Sequence, residues 1–166
     1  MGRLMAKRKT RKRTSKSVPA KGVLRDMCDR LWSVAVRSDW NWKCAACGYG
    51  TVEAHHLIPR QHQSTRYELR NSICLCARHH QFDPDMAPHQ NAAGFMLWLS
   101  QKYPALHKWL TETVADGSYR RFDGTTNAQF YMDTIRRLRE YVPDDDYVRI
   151  VGVKFSQWLE NRNEVD

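Results

Sequence analysis

Cys44-Ala45-Ala46-Cys47-Gly48 sets two thiols apart by two residues, and Cys76-Ala77-Arg78-His79 repeats that spacing with a thiol and an imidazole. Four such donors in two matched pairs suit a tetrahedral Zn²⁺ better than they suit ordinary buried thiols. Gly48 helps the chain turn tightly beneath the ion. Four protein ligands leave no position open for water or substrate, so the expected zinc is structural and couples metal binding to folding. Cys74 shares a strand face with Cys76 and stays an alternative ligand, whereas Cys28 reads as a buried apolar residue.

A second set of imidazoles is interleaved with the first. Ala54-His55-His56-Leu57-Ile58-Pro59-Arg60 is followed by Asn71 and then by Cys76-Ala77-Arg78-His79-His80. A lone histidine is more often a satisfied polar residue than a ligand, but a group of them offers both metal donors and a base that titrates near neutrality. His79 and His80 stand about 100° apart around a helix, so neighbours can serve two different ions.

The order His-His, Asn, His resembles the HNH endonuclease superfamily, and the two flanking knuckles resemble its zinc-containing branch. The resemblance runs from Cys44 to His89, about a quarter of the chain. It implies a ββα-metal (His-Me finger) fold in which His55 and His80 hold a catalytic divalent ion. By the same resemblance His56 is the general base on the attacking water, and Asn71 accepts a hydrogen bond from the His56 ring. Two positions depart from the pattern: His79 stands where a cysteine is usual, and Pro84 where a further histidine is common. The third ligand is then Asp83 or His89, with His89 preferred because it precedes a helix. Mg²⁺ is the expected ion, with Mn²⁺, Ni²⁺ or Zn²⁺ also suited to imidazoles. The run Ser64 to Asn71 is similar to phage HNH proteins, including recombination endonucleases of the NinG/Rap type. That likeness implies a phage or mobile-element source and packaging or recombination proteins as partners.

Arg60, Arg66 and Arg70 lie in the loop between the half-motifs, where guanidinium groups are expected to grip DNA phosphates. Met1 to Gly22 adds nine cations (Arg3, Lys7, Arg8, Lys9, Arg11, Lys12, Arg13, Lys16 and Lys21) and no acid. The other 18 basic residues match the 18 acids, so the net charge of +9 resides in this tail. Such a segment suits polyanions, because each phosphate contact releases condensed counterions. By itself it also suits a solubilising tail or a nuclear address.

The expected fold is α+β, with the resemblance implying a small zinc-stabilised ββα-metal core and the residue pattern adding an N-terminal helix and a C-terminal helical extension. The expected division is a basic disordered tail (1–22), a helix (23–42), the nuclease core (43–92) and a mainly helical extension (93–166). Leu24, Met27, Leu31 and Val34 recur at helical spacing. Thr51–Ile58 and Ser72–Cys76 read as strands, and Ala77–Asp83 as a short helix stopped by Pro84. Tyr131, Ile135, Leu138 and Val142 mark a later helix, Tyr147–Val153 reads as a strand, and Phe155–Leu159 as a final helical turn. Trp40 and Trp42 are expected to pack against the zinc module.

No apolar run approaches the roughly 20 residues of a membrane span. An odd count of five cysteines favours metal ligation in a reducing compartment, so a cytoplasmic location is expected. The function these readings imply is metal-dependent hydrolysis of DNA with little sequence specificity. The alternative, prompted by the missing histidine, is a zinc-dependent DNA-binding or assembly protein with an impaired site.

Overall fold

Two strands carry His55, His56 and Cys76, and helices cover both of their faces. The computed structural model describes residues 18–162; the tail cations Lys7, Arg8, Lys9, Arg11, Lys12 and Arg13 lie outside the described residues. β1 (Val52–His56) pairs antiparallel with β2 (Ser72–Cys76), placing Ala54 opposite Cys74, His55 opposite Ile73 and His56 opposite Ser72. A two-stranded ribbon is marginal alone. Here its stability comes from packing on each side.

α1 (Lys21–Asp39) begins inside the segment expected to be a tail. Leu24, Cys28, Leu31 and Ala35 are fully buried at intervals of four, three and four residues, which makes one continuous helical stripe. The stripe packs on α4 (Ala128–Leu138), α5 (Asp144–Val151) and α6 (Val153–Glu160), where Ile135, Leu138, Ile150 and Leu159 complete a first core. α2 (Ala92–Lys102) and α3 (Pro104–Ala115) meet the strands instead. Phe95, Leu99 and Leu110 bury Ile73 and Leu75 in a second core, and Trp40 touches both.

Residues 147–153 form no strand. Asp144, Asp145 and Asp146 occupy the first turn of α5, where carboxylates complement the helix dipole, and Gly152 at φ 83° separates α5 from α6. Tyr147, Ile150 and Val151 form the buried face of this short helix, while Val148 and Val153 are exposed. Trp42 also departs from expectation. It is 46 % exposed at φ 57°, beneath the Arg37 guanidinium, and does not belong to either core.

In place of an ordinary helical turn, Arg78–Phe82 adopts a wider π turn, closed by Asp83 N–H donating to Arg78 O five residues back at 2.9 Å. Turns of this kind are often found at functional sites. No described helix is long and apolar enough to cross a membrane.

Candidate metal centres

The π turn directs its two histidines into different clusters. His79 Nδ1 lies 3.6 Å from Cys44 Sγ and 3.2 Å from Cys76 Sγ, and Cys47 Sγ is 4.0 Å from Cys76 Sγ. All four donor atoms fall within 4.8 Å of one another. Ligands bonded at about 2.3 Å to sulfur and 2.0 Å to nitrogen form a tetrahedron with edges of roughly 3.5–3.8 Å. The four residues therefore could bind a zinc ion.

Backbone geometry supports the set. Gly48 at φ 77° turns the knuckle, and its N–H donates to Cys44 O at 2.7 Å. Burial opposes ionisation of Cys44, but the backbone N–H groups of Cys76, Cys47 and Ala46 outweigh it and hold the thiol down to about 7. The thiolate is the form a metal takes. Burial instead pushes Cys74 up to about 11 and Cys28 up to about 12, and neither joins the cluster.

Asp83 belongs to this side of the turn. Its Oδ1 accepts from Asp85 and Met86 N–H, and its Oδ2 is 4.0 Å from His79 Nε2, the nitrogen left over when Nδ1 faces the thiols. A carboxylate behind a ligating imidazole fixes ring orientation. Asp83 is thus no part of the second cluster.

That cluster is His55, His80 and His89. His80 Nε2 lies 2.9 Å from His55 Nδ1 and 3.2 Å from His89 Nε2, while its Nδ1 meets Glu53 Oε2 at 2.7 Å. A carboxylate only accepts, so His80 keeps its proton on Nδ1 and turns a lone pair toward the two other rings. Burial above all, with the imidazoles of His80 and His89 close by, pushes His55 down to about 3, so its ring is neutral. Nitrogens sharing one ion at about 2.1 Å sit roughly 3.0–3.4 Å apart, so the separations and the donor set both fit a divalent cation.

His89 reaches the cluster because of the loop that precedes α2. Asn91 caps that helix, its Oδ1 accepting from Gly94 N–H at 2.8 Å. A Cβ on Gly94 would stand 2.0 Å from Asp85 O, so only glycine lets the loop and helix approach this closely.

His56 points to the opposite strand face. Its ring stacks on Trp32 of α1 at 3.6 Å and 10°, and its Nε2 lies 2.9 Å from Arg66 O. A carbonyl cannot donate, so Nε2 carries the proton and Nδ1 is left to accept one. Burial holds the ring below its ordinary value, which favours the neutral imidazole.

Comparisons with protein-family models, curated proteins and solved structures return no match. The two clusters stand on their geometry alone.

Two expected roles are corrected. Asn71 makes no contact with the His56 ring: its Oδ1 accepts from Ile58 N–H at 2.6 Å, and its Nδ2 donates to Ile58 O at 2.9 Å and Thr65 O at 3.1 Å. It is a fully buried staple across the loop, and the carbonyl that holds His56 comes from Arg66. Asn71→Ala leaves the N–H and C=O of Ile58 unpaired, while Thr65 O keeps the Glu68 N–H. At about 1–3 kcal/mol for each buried unsatisfied group, and with partial relaxation, it should lower unfolding free energy by about 2–5 kcal/mol in urea with zinc saturating. An unchanged urea midpoint would show that the loop is held otherwise.

Arg66 is the second correction. Its side chain is 11 % exposed, with Nε and Nη2 on the two oxygens of Asp29 at 2.9 and 2.7 Å and Nη1 on Arg60 O at 2.8 Å. These donors are committed to the protein, so Arg66 is a strut and not a phosphate contact. Arg60 and Arg70 are exposed, and Arg70 lies 5.8 Å over the Trp109 ring. Glu53 and Trp32 are the site residues that sequence reasoning missed. Glu53 stands two residues before His55, on the same strand face, and that spacing was the available signal.

Proposed function

We propose that this chain is a metal-dependent endonuclease of the HNH type that hydrolyses DNA phosphodiester bonds, with zinc at Cys44, Cys47, Cys76 and His79 holding the fold. One observation carries the reading: Glu53 pins the His80 tautomer so that three imidazole nitrogens converge, while the next residue along β1 is a histidine locked by stacking and a carbonyl. His55, His80 and His89 would hold the catalytic divalent ion, Mg²⁺ or Mn²⁺. When bound, such an ion polarises the phosphate and stabilises the departing oxygen.

The remaining work falls to protein groups. His56 accepts a proton from the attacking water at Nδ1, because Nε2 is committed to Arg66 O. Trp32 keeps the ring in one plane, so the accepting nitrogen does not have to be reoriented at each turnover. Asn71 serves the same end indirectly, by closing the loop that carries Arg66. Exposed Arg60 and Arg70 supply phosphate contacts, with the basic N-terminal segment adding affinity that is independent of sequence.

The reading is tested by incubating the full chain with supercoiled plasmid, linear duplex, single-stranded and four-way-junction DNA, in Mg²⁺, Mn²⁺ or EDTA. Cleavage of at least one substrate that requires the metal is expected. Retained binding with no cleavage of any substrate in either metal would sink the nuclease reading in favour of a zinc-dependent binding module.

A further inference from the structure

One face of α1 carries Arg30, Ser33 and Arg37, three and four residues apart and so aligned along the helix. Arg149 of α5 reaches the same place, and together they line a cavity of about 280 Å³ whose floor is Val34 and Ile150. Three guanidinium groups around one concavity repel each other unless an anion is shared among them.

The acids nearby offset this set only in part. Asp29 is the one carboxylate lining the cavity, and both of its oxygens are taken by Arg66. Asp146 pairs with Arg149, whose side chain is still 67 % exposed. Arg37 is already ordered: its Nε donates to Ser33 O at 3.0 Å and its guanidinium lies 4.9 Å over the Trp42 ring. Its remaining N–H groups can meet an anion at little further entropic cost.

The cavity also adjoins the candidate base. Asp29, at its edge, clamps the Arg66 whose carbonyl holds His56, and Trp32, beside Ser33, stacks on the same ring. Arg30 and Arg37 stand about 10 Å apart along the helix axis. That length covers roughly three nucleotides of one strand at about 3.4 Å of rise each.

The geometry points to this groove as a docking track for the phosphodiester backbone of duplex DNA, leading to His56 along α1. The choice of DNA as the polyanion rests on the endonuclease reading; the existence of an anion track does not. The test measures binding of the full chain to a fluorescein-labelled 20-base-pair duplex in EDTA-free buffer with Ca²⁺, at salt from 50 to 250 mM. The combined variant Arg30→Gln, Arg37→Gln, Arg149→Gln should flatten the slope of log affinity against log salt by about 2–3, at about 0.9 for each phosphate that is no longer neutralised.

Lysine at the same three positions should restore most of the slope, and the exposed Lys108→Gln on α3 should leave it close to the parent's. Zinc content and the circular-dichroism spectrum of each variant check that the fold is intact. A slope in the glutamine variant equal to that of the parent overturns the track. Tighter binding of an equal-length RNA duplex, with the greater loss of slope, overturns the assignment to DNA. A flattened slope in a chain that cleaves nothing would sink the nuclease reading and leave the track standing. Cleavage by the parent with no change of slope would do the reverse.

Discussion

Replacing Cys76 with serine removes zinc and lowers the melting temperature of the chain by about 10–20 °C. Cys76 Sγ is the donor that touches both His79 and Cys47, and a serine hydroxyl is a weak substitute for a thiolate. Structural zinc contributes an apparent 10–16 kcal/mol in small metal-folded modules, comparable with the 5–15 kcal/mol that holds a whole domain together. The first core, built on α1 and α4 to α6, holds none of the cluster cysteines and remains to support part of the structure, so a loss of about 5 kcal/mol is the fair expectation. For a chain of this length that gives a shift of the size named. Metal content after gel filtration and a thermal melt are the measurements. Cys74→Ser is the matched control: it should keep one zinc per chain, since Cys74 lies outside the cluster. A parent that purifies without zinc, or a Cys76→Ser chain that melts with the parent, would rule out the staple.

On the endonuclease reading, His56→Ala lowers the cleavage rate by about 10²–10⁴-fold, the usual contribution of a positioned general base. Affinity of the His55, His80 and His89 cluster for Mn²⁺ should stay within about twofold, because His56 faces the other side of β1 and stacks on Trp32. His80→Ala should do the opposite and weaken Mn²⁺ binding directly. Single-turnover cleavage and metal titration by calorimetry separate the two. Full activity in His56→Ala would move the base elsewhere, and loss of Mn²⁺ affinity in the same variant would make it a ligand instead.

Groups that interact through short spacing were legible in the sequence. The two knuckles, the adjacent imidazoles and the pairing strands are all set within a few residues, and the structure brings Cys44, Cys47, Cys76 and His79 together, and His55 with His80. What escaped depends on long-range partners. Arg66 looks like any loop arginine until Asp29, 37 residues earlier, is found on the facing helix. Asn71 looks like an orienting side chain because its partners are backbone groups at Ile58 and Thr65, which no residue pattern announces. His89 could be preferred over Asp83 only on position, since the close approach at Gly94 is a property of packing. The misread strand at Tyr147–Val153 failed for another reason: β-branched residues fit a pleated surface and a short buried helix face alike, and the acids before them decide between the two.

The π turn has a consequence for how the protein comes to be assembled. His79 and His80 are joined by a single peptide bond, so the two candidate ion sites have a common hinge. An ion that orders the first site removes conformational freedom from the second, and the favour is returned by the same factor.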